Sequence, residues 1–94
     1  MKIIWAGRSR ADLSAIVEYI AKDDPRAAQQ LVDDLVDSAE TTLSDHPNSG
    51  RQGRVDGTRE WVAHKNYIVA YRVRDEHIQI LSVMHSARLW PGEL

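Results

Sequence analysis

The spacing of hydrophobic positions changes along this chain of 94 residues, and the changes predict its elements. The start, Lys2 to Trp5, contains two adjacent isoleucines and predicts a short strand that Gly7 ends. Apolar residues then recur every three or four positions as far as residue 43, which is typical of helices. Beyond Gly57 they form short runs separated by turn residues, which is typical of strands.

The helical region predicts an antiparallel hairpin of two helices. In the first helix, Ser9 and Asp12 have the spacing of a capping box, and the helix is expected to end near Ala21. In the second, Asp24 is the expected N-cap and Pro25 the first helical residue, with an end near residues 45–47. Asp12 is expected on the solvent face, with Glu18 and Lys22. The apolar stripes comprise Leu13, Ile16, Val17 and Ile20 in the first helix, and Ala28, Leu31, Val32, Leu35, Ala39 and Leu43 in the second.

The rest of the chain predicts a loop over residues 47–57 and then a meander of three strands. The strands are expected at residues 58–63, 67–73 and 77–84, with turns at 64–66 and 74–76. On the middle strand, Tyr67, Val69, Tyr71 and Val73 share the face expected to meet the helices. The opposite face, with Ile68 and Ala70, is apolar enough to predict that it is partly covered or used for binding. Glu60 and the pair Asp75–Glu76 are interpreted as charges that stop the sheet from growing at its edges.

These elements predict one α+β domain over residues 1–94, with an N-terminal strand, an antiparallel helical hairpin and a three-stranded antiparallel meander packed on the helices. A hydrophobic content of 43% is enough for a single core. The chain has no cysteine, which excludes disulfides and thiolate zinc sites and is compatible with a reducing cytoplasm. No apolar run approaches the ~20 residues needed to span a bilayer, so no membrane association is predicted.

Charge is distributed unevenly between the two halves. Residues 1–50 hold five Lys or Arg against nine Asp or Glu, whereas residues 51–94 hold seven against five. A surplus of two positive charges is small for a protein whose affinity would come from many phosphate contacts. Extensive nucleic-acid binding is therefore disfavoured, although a small site is not.

The candidate chemistry lies near the C-terminus. His85 comes where a strand is expected to end and can exchange protons near neutral pH, although a single histidine is more often structural. Arg59 and Arg88 could hold phosphate or carboxylate oxygens, or could simply keep the surface soluble. Trp90 is either a packing residue or part of a partner surface. The histidines lack the short paired spacing of metal ligands, and no glycine-rich phosphate loop is present, so neither metal nor cofactor is predicted.

Four segments together make the chain resemble the RelE/ParE superfamily of bacterial toxins. They are Lys2-Ile-Ile-Trp5, Gly57-Thr-Arg-Glu60, Tyr67-Ile-Val-Ala-Tyr-Arg-Val73 and Val83-Met-His-Ser-Ala-Arg-Leu-Trp-Pro91. The resemblance implies the toxin of a type II toxin-antitoxin module, which arrests growth in the cytoplasm until its cognate antitoxin binds it in a hetero-oligomer. An amphipathic antitoxin helix could fill the apolar grooves of the hairpin and sheet. The antitoxin-binding residues predicted in this way are Leu13, Val17, Leu31 and Leu35.

The superfamily resemblance leaves two kinds of target open. In the RelE-like branch, which cuts messenger RNA on the ribosome, an arginine of the middle strand contacts the scissile phosphate, and this chain has Ile68 at that position. We therefore expect the ParE-like branch, which poisons DNA gyrase by binding, with contacts at Arg59, Trp61, His85, Arg88 and Trp90. The enzyme alternative is a ribosome-dependent endoribonuclease with the catalytic residues His85, Arg88, Arg59 and Arg72. A third alternative is a non-toxic relative that retains only antitoxin binding.

Overall fold

Two helices and five strands are formed within residues 1–64 and 67–86, the part of the chain that the computed structural model describes. The helical hairpin and the meander are both confirmed. In chain order the elements are β1 (Lys2–Trp5), α1 (Gly7–Ala21), α2 (Pro25–Asp45), β2 (Arg51–Gln52), β3 (Arg59–His64), β4 (Tyr67–Val73) and β5 (His77–His85). The predicted turn at Lys65 and Asn66 lies outside the described residues, as do the predicted site residues Arg88 and Trp90.

All the strands belong to one mixed sheet with the order β1-β5-β4-β3-β2. Strand β1 pairs in parallel with β5, whereas the other neighbours are antiparallel. The sheet is therefore larger than the predicted three-stranded meander. Strand β2 was predicted as loop, because two residues between glycines show no alternation; it pairs Arg51 with Glu60 and Gln52 with Arg59.

Helix α1 starts earlier than the capping-box prediction requires, and that prediction is wrong. The N-cap is Ala6, which has no side-chain cap, and the Ser9 hydroxyl donates to the Ala6 carbonyl oxygen at 2.6 Å. Asp12, predicted on the solvent face, instead accepts hydrogen bonds from β5. The start of α2 is confirmed, since the Asp24 carboxylate accepts from the Ala27 amide at 3.1 Å and Pro25 opens the helix.

The core lies between the helices and the facing side of the sheet. Tyr67, Val69 and Tyr71 of β4 belong to it as predicted, whereas Val73, the last residue of that strand, is 38% exposed. Ile68 and Ala70 on the opposite face are also buried, which confirms that this face is partly covered. The remaining buried members of the core cluster are Leu35, Ala39, Leu43, Ile78, Ile80 and Val83.

The segment between α2 and β3 is tied to the sheet by buried polar groups. The Tyr71 hydroxyl donates to the Pro47 carbonyl oxygen at 2.7 Å and accepts from the Gly50 amide at 2.9 Å. Glu60, interpreted above as an edge charge, is 3% exposed, and its carboxylate accepts from the Arg51 guanidinium and the Arg54 amide. That interpretation is wrong because β2 pairs outside β3, so that Arg51 on β2 and Arg54 just after it reach this carboxylate.

Candidate binding cleft

A cleft of about 320 Å³ opens between α1 and the ends of β4 and β5. Helix α1 contributes residues spaced three or four apart, which places them on one helical face. The sheet contributes side chains of the paired residues Tyr67 and His85, together with Val83. The complete lining is Asp12, Ala15, Ile16, Tyr19, Tyr67, Val83 and His85.

Aromatic rings form the sheet side of this cleft. Tyr67 is only 9% exposed and stands between two histidines. Its ring meets that of His85 edge to face, with centroids 5.3 Å apart, and lies 6.4 Å from that of His64. Across the cleft, the Tyr19 side chain is 67% exposed, so the cleft presents aromatic surface to any partner that enters it.

Asp12 joins the two walls of the cleft. Its Oδ2 accepts one hydrogen bond from the Ser82 hydroxyl and another from the Val83 amide, each at 2.9 Å. Sequence reasoning missed this role because Asp12 was assigned to the helix start. Tyr67 was assigned only to the core, because the predicted hairpin places it opposite Val83. The observed register, with an extra residue on β5, pairs it with His85.

The predicted site residues within the described ranges are dispersed over the sheet. His85 lines the cleft and pairs with Tyr67 at the start of β4. Arg59 pairs with Tyr71, which lies four residues further along β4. At about 3.3 Å per strand residue, this separation is about 13 Å. Arg59 also donates to the Gly50 carbonyl oxygen at 2.8 Å, and alternation turns Arg72 to the opposite face. Trp61 is half-buried and packs against the core.

The hairpin residues predicted to bind an antitoxin differ in their exposure. Leu13, Val17 and Leu31 are half-buried and keep some surface. Leu35 is 1% exposed, so in this conformation its side chain is part of the core and offers no surface.

The other end of the sheet carries a second polar cluster, centred on Glu60. Arg51 Nη2 lies 3.2 Å and Arg54 Nε 3.8 Å from Glu60 Oε1. Nearby, burial raises the pKa of Tyr71 above 10.0, an effect partly opposed by the Gly50 amide and the charge of Arg59. These contacts fix the segment that enters β3. The charged groups of Glu60, Arg51 and Arg54 therefore stabilise the fold. Within residues 1–64 and 67–86, His, Asp and Glu side chains form no group of three suited to a metal ion.

The fold and cleft define a small two-layer α+β protein that presents a cleft between its first helix and its sheet. The sequence profile described as ParE toxin of type II toxin-antitoxin system, parDE, matches residues 3–90, and the chain belongs to this family. It is 42% identical to "Putative toxin Y4kP" of Sinorhizobium fredii, over 99% of this chain and 96% of that protein. It is 35% identical to toxin RelE2 of Caulobacter vibrioides, over 94% of this chain and 98% of that one.

Solved structures agree with this assignment. A chain of the chromosomal ParDE toxin-antitoxin system of P. aeruginosa is similar with a TM-score of 0.82 and 29% identity, covering 90% of this chain and 95% of that one. The YoeB/ParE toxin from Agrobacterium tumefaciens shares the fold alone, with a TM-score of 0.57 at 16% identity, over 90% and 98% of the two chains. The protein is therefore the toxin component of a type II toxin-antitoxin system, and its partner is a cognate antitoxin. In the described residues, neither helix is long and apolar enough to cross a membrane.

Proposed function

We propose that this toxin arrests growth in the cytoplasm by binding and poisoning DNA gyrase, without catalysing a reaction of its own. The observation that carries the proposal is the dispersal of the three candidate nuclease residues that the structure describes. His85 lies at one end of the helix-facing side of the sheet, Arg59 at the other end, and Arg72 on the opposite face. A ribonuclease needs its proton-transfer group and its phosphate-binding cations around one scissile bond.

The middle strand supports the same proposal. Ile68 is 5% exposed and sits where the RelE-like nucleases carry an arginine. A buried apolar side chain cannot stabilise the charge that develops on a phosphate in the transition state, and one such interaction contributes about 3–4 kcal/mol. Arg59 is already bonded to a backbone carbonyl, so its remaining donors would support binding of a partner more readily than catalysis.

The proposed contact surface to gyrase comprises Arg59, Trp61 and His85, together with Arg88 and Trp90, which lie outside the described residues. Of the described members of this set, the half-buried His85 lines the cleft across from Tyr19, and the rings there offer the kind of aromatic anchor that dominates protein interfaces. The antitoxin is proposed to cover the half-buried residues Leu13, Val17 and Leu31 of the hairpin.

The decisive experiment combines two assays. The first measures supercoiling by purified gyrase in the presence of the toxin, and the second maps cuts in translated messenger RNA by primer extension after toxin induction. Inhibited supercoiling or trapped cleavage complexes with intact RNA would support the proposal. Discrete cuts in translated RNA with normal supercoiling would overturn it. His85→Ala should weaken gyrase inhibition, and His46→Ala, which changes an exposed histidine at the end of α2, is the matched control.

A second candidate, the ribosome-dependent endoribonuclease, is favoured by one observation. Tyr67 and His85 lie edge to face on the cleft wall, and a histidine beside a tyrosine can assist proton transfer from a 2'-hydroxyl. This candidate requires RNA cleavage that His85→Ala abolishes, and toxicity unchanged by that substitution would exclude it. Overexpression without any growth defect would instead favour the non-toxic, antitoxin-binding alternative.

A further inference from the structure

Strand β5 is longer than its neighbour β1, so within the part of the chain that the structure describes the outer edge of its second half has no paired strand. Among the described residues, β1 pairs only with His77 to Ile80, and β5 continues to His85. After Trp5 the chain leaves the sheet, with a last hydrogen bond from the Ala6 amide to the Ile80 carbonyl oxygen at 2.9 Å. An uncovered strand edge is a pairing surface for another chain, and proteins commonly cover it with a helix or a charged side chain.

The pairing of β5 with β4 becomes irregular at the same place. Tyr71 pairs with Ile80 and Ala70 with Ser82, so Leu81 is an extra residue on β5. An extra residue of this kind bends a strand and redirects its neighbouring amides. The Val83 amide donates to Asp12 and thus points away from β4, towards the outer edge.

Asp12, on helix α1, accepts hydrogen bonds from the donors on this edge of β5. Val83 is 4% exposed and Ser82 is 3% exposed, so their donors have little access to water. A buried amide without an acceptor is unfavourable because it has given up its hydrogen bond to water, and the Asp12 carboxylate accepts from both residues. It does for Val83 what the carbonyl of a further strand would do.

We infer that Asp12 is a positioning residue for the cleft: it takes the place of a further strand beside β5 and thereby fixes the distance between the cleft walls. Ile16 and Tyr19 follow Asp12 on the same face of α1, and His85 follows Val83 on β5. The hydrogen bonds of Asp12 therefore set the register between the helix side and the sheet side of the cleft. The effect on gyrase inhibition rests on the proposed function, whereas the effect on the Val83 amide does not.

The test is residue-resolved amide hydrogen exchange by NMR, applied to the full chain. Asp12→Ala should speed exchange of the Val83 amide at least tenfold more than exchange of the Tyr71 amide. Asp12→Asn keeps an oxygen acceptor and should restore much of the protection; it also serves if Asp12→Ala does not fold. Glu18→Ala, an exposed carboxylate on the same helix, should leave both amides unchanged.

Gyrase inhibition measured on the same variants gives a second readout. Asp12→Ala should reduce inhibition by a larger factor than Asp12→Asn. Unchanged Val83 exchange in Asp12→Ala would overturn the inference, as would equal acceleration of all core amides, which would indicate general destabilisation. A wild-type protein that leaves gyrase unaffected would refute the proposed function, while the Val83 result would still decide the role of Asp12.

Discussion

Replacing Tyr71 with phenylalanine tests whether one buried hydroxyl holds the segment between α2 and β3. The side chain is fully buried, and its hydroxyl bonds both the Pro47 carbonyl oxygen and the Gly50 amide. Tyr71→Phe leaves the ring in place but removes both bonds. The buried Gly50 amide then has no acceptor, at about 1–3 kcal/mol, and the lost bond to Pro47 adds about 1 kcal/mol. We expect a total loss of about 2–4 kcal/mol.

Urea unfolding followed by circular dichroism measures this loss in the free energy of unfolding. In thermal unfolding of a domain of this size, the same loss should lower the Tm by about 10 °C or more. Tyr19→Phe is the matched control, because it makes the same chemical change at a side chain that is 67% exposed. The control should change the free energy of unfolding by less than about 0.5 kcal/mol. If the two variants were equally stable, the hydroxyl of Tyr71 would not anchor this segment and the reasoning would be refuted.

Three further predictions concern the same fold. Burial holds the pKa of Tyr71 above 10.0, so the stability that this group contributes is complete below pH 10.0 and is lost as the pH rises through its folded value. Urea unfolding between about pH 8 and about pH 11 should show this loss, and Tyr71→Phe should weaken the dependence. Glu60→Gln removes the charge that faces Arg51 and Arg54 and should cost about 2 kcal/mol by the same assay, more than the loss in Arg51→Ala, whose side chain is 64% exposed and screened by water. Asp24→Ala removes the cap of α2 and should cost about 1 kcal/mol, whereas Asp24→Asn should keep most of it.

Each of these has an outcome that would contradict it. A pH dependence identical in wild type and Tyr71→Phe would assign the alkaline loss to other groups. Equal losses in Glu60→Gln and Arg51→Ala would mean that the burial of the carboxylate is unimportant. A full loss in Asp24→Asn would show that the charge at the helix start, and not the hydrogen bond to Ala27, stabilises α2.

The helices and the long strands could be predicted because each has a period that burial imposes. The stripe from Ala28 to Leu43 repeats every three or four residues, and the structure buries most of it in α2. Strand β2 could not be found in this way, since two exposed residues carry no period and form a strand only because β3 lies beside them. The start of α1 was misplaced because Ser9 and Asp12 have the spacing of a local cap. In the structure, Asp12 instead accepts a hydrogen bond from Ser82, a residue of β5 that is 70 positions away in the sequence.

The candidate site shows the same division between local and distant information. The position of His85 at a strand end was predictable from the apolar run before it. Its neighbours in the cleft were not, because Asp12 and Tyr19 come from α1 and approach the sheet only through the packing of the helix on it. Tyr67 pairs with His85 only through a register that includes an extra residue on β5. The buried environment of Glu60 was missed for the same reason, since its partners Arg51 and Arg54 lie on β2 and just after it.

The two polar clusters have different consequences for how the toxin can act. Around Glu60 and Tyr71 the charged and hydroxyl groups bond to one another and to the backbone, and these bonds stabilise the fold. At the other end, Asp12 completes the edge of β5 and leaves aromatic side chains to line the cleft. The rings and aliphatic groups that line the cleft are suited to burying part of a protein partner. Among the described residues, no arginine or lysine lines the cleft, whereas holding a phosphate in a transition state needs several preorganised cations at one point.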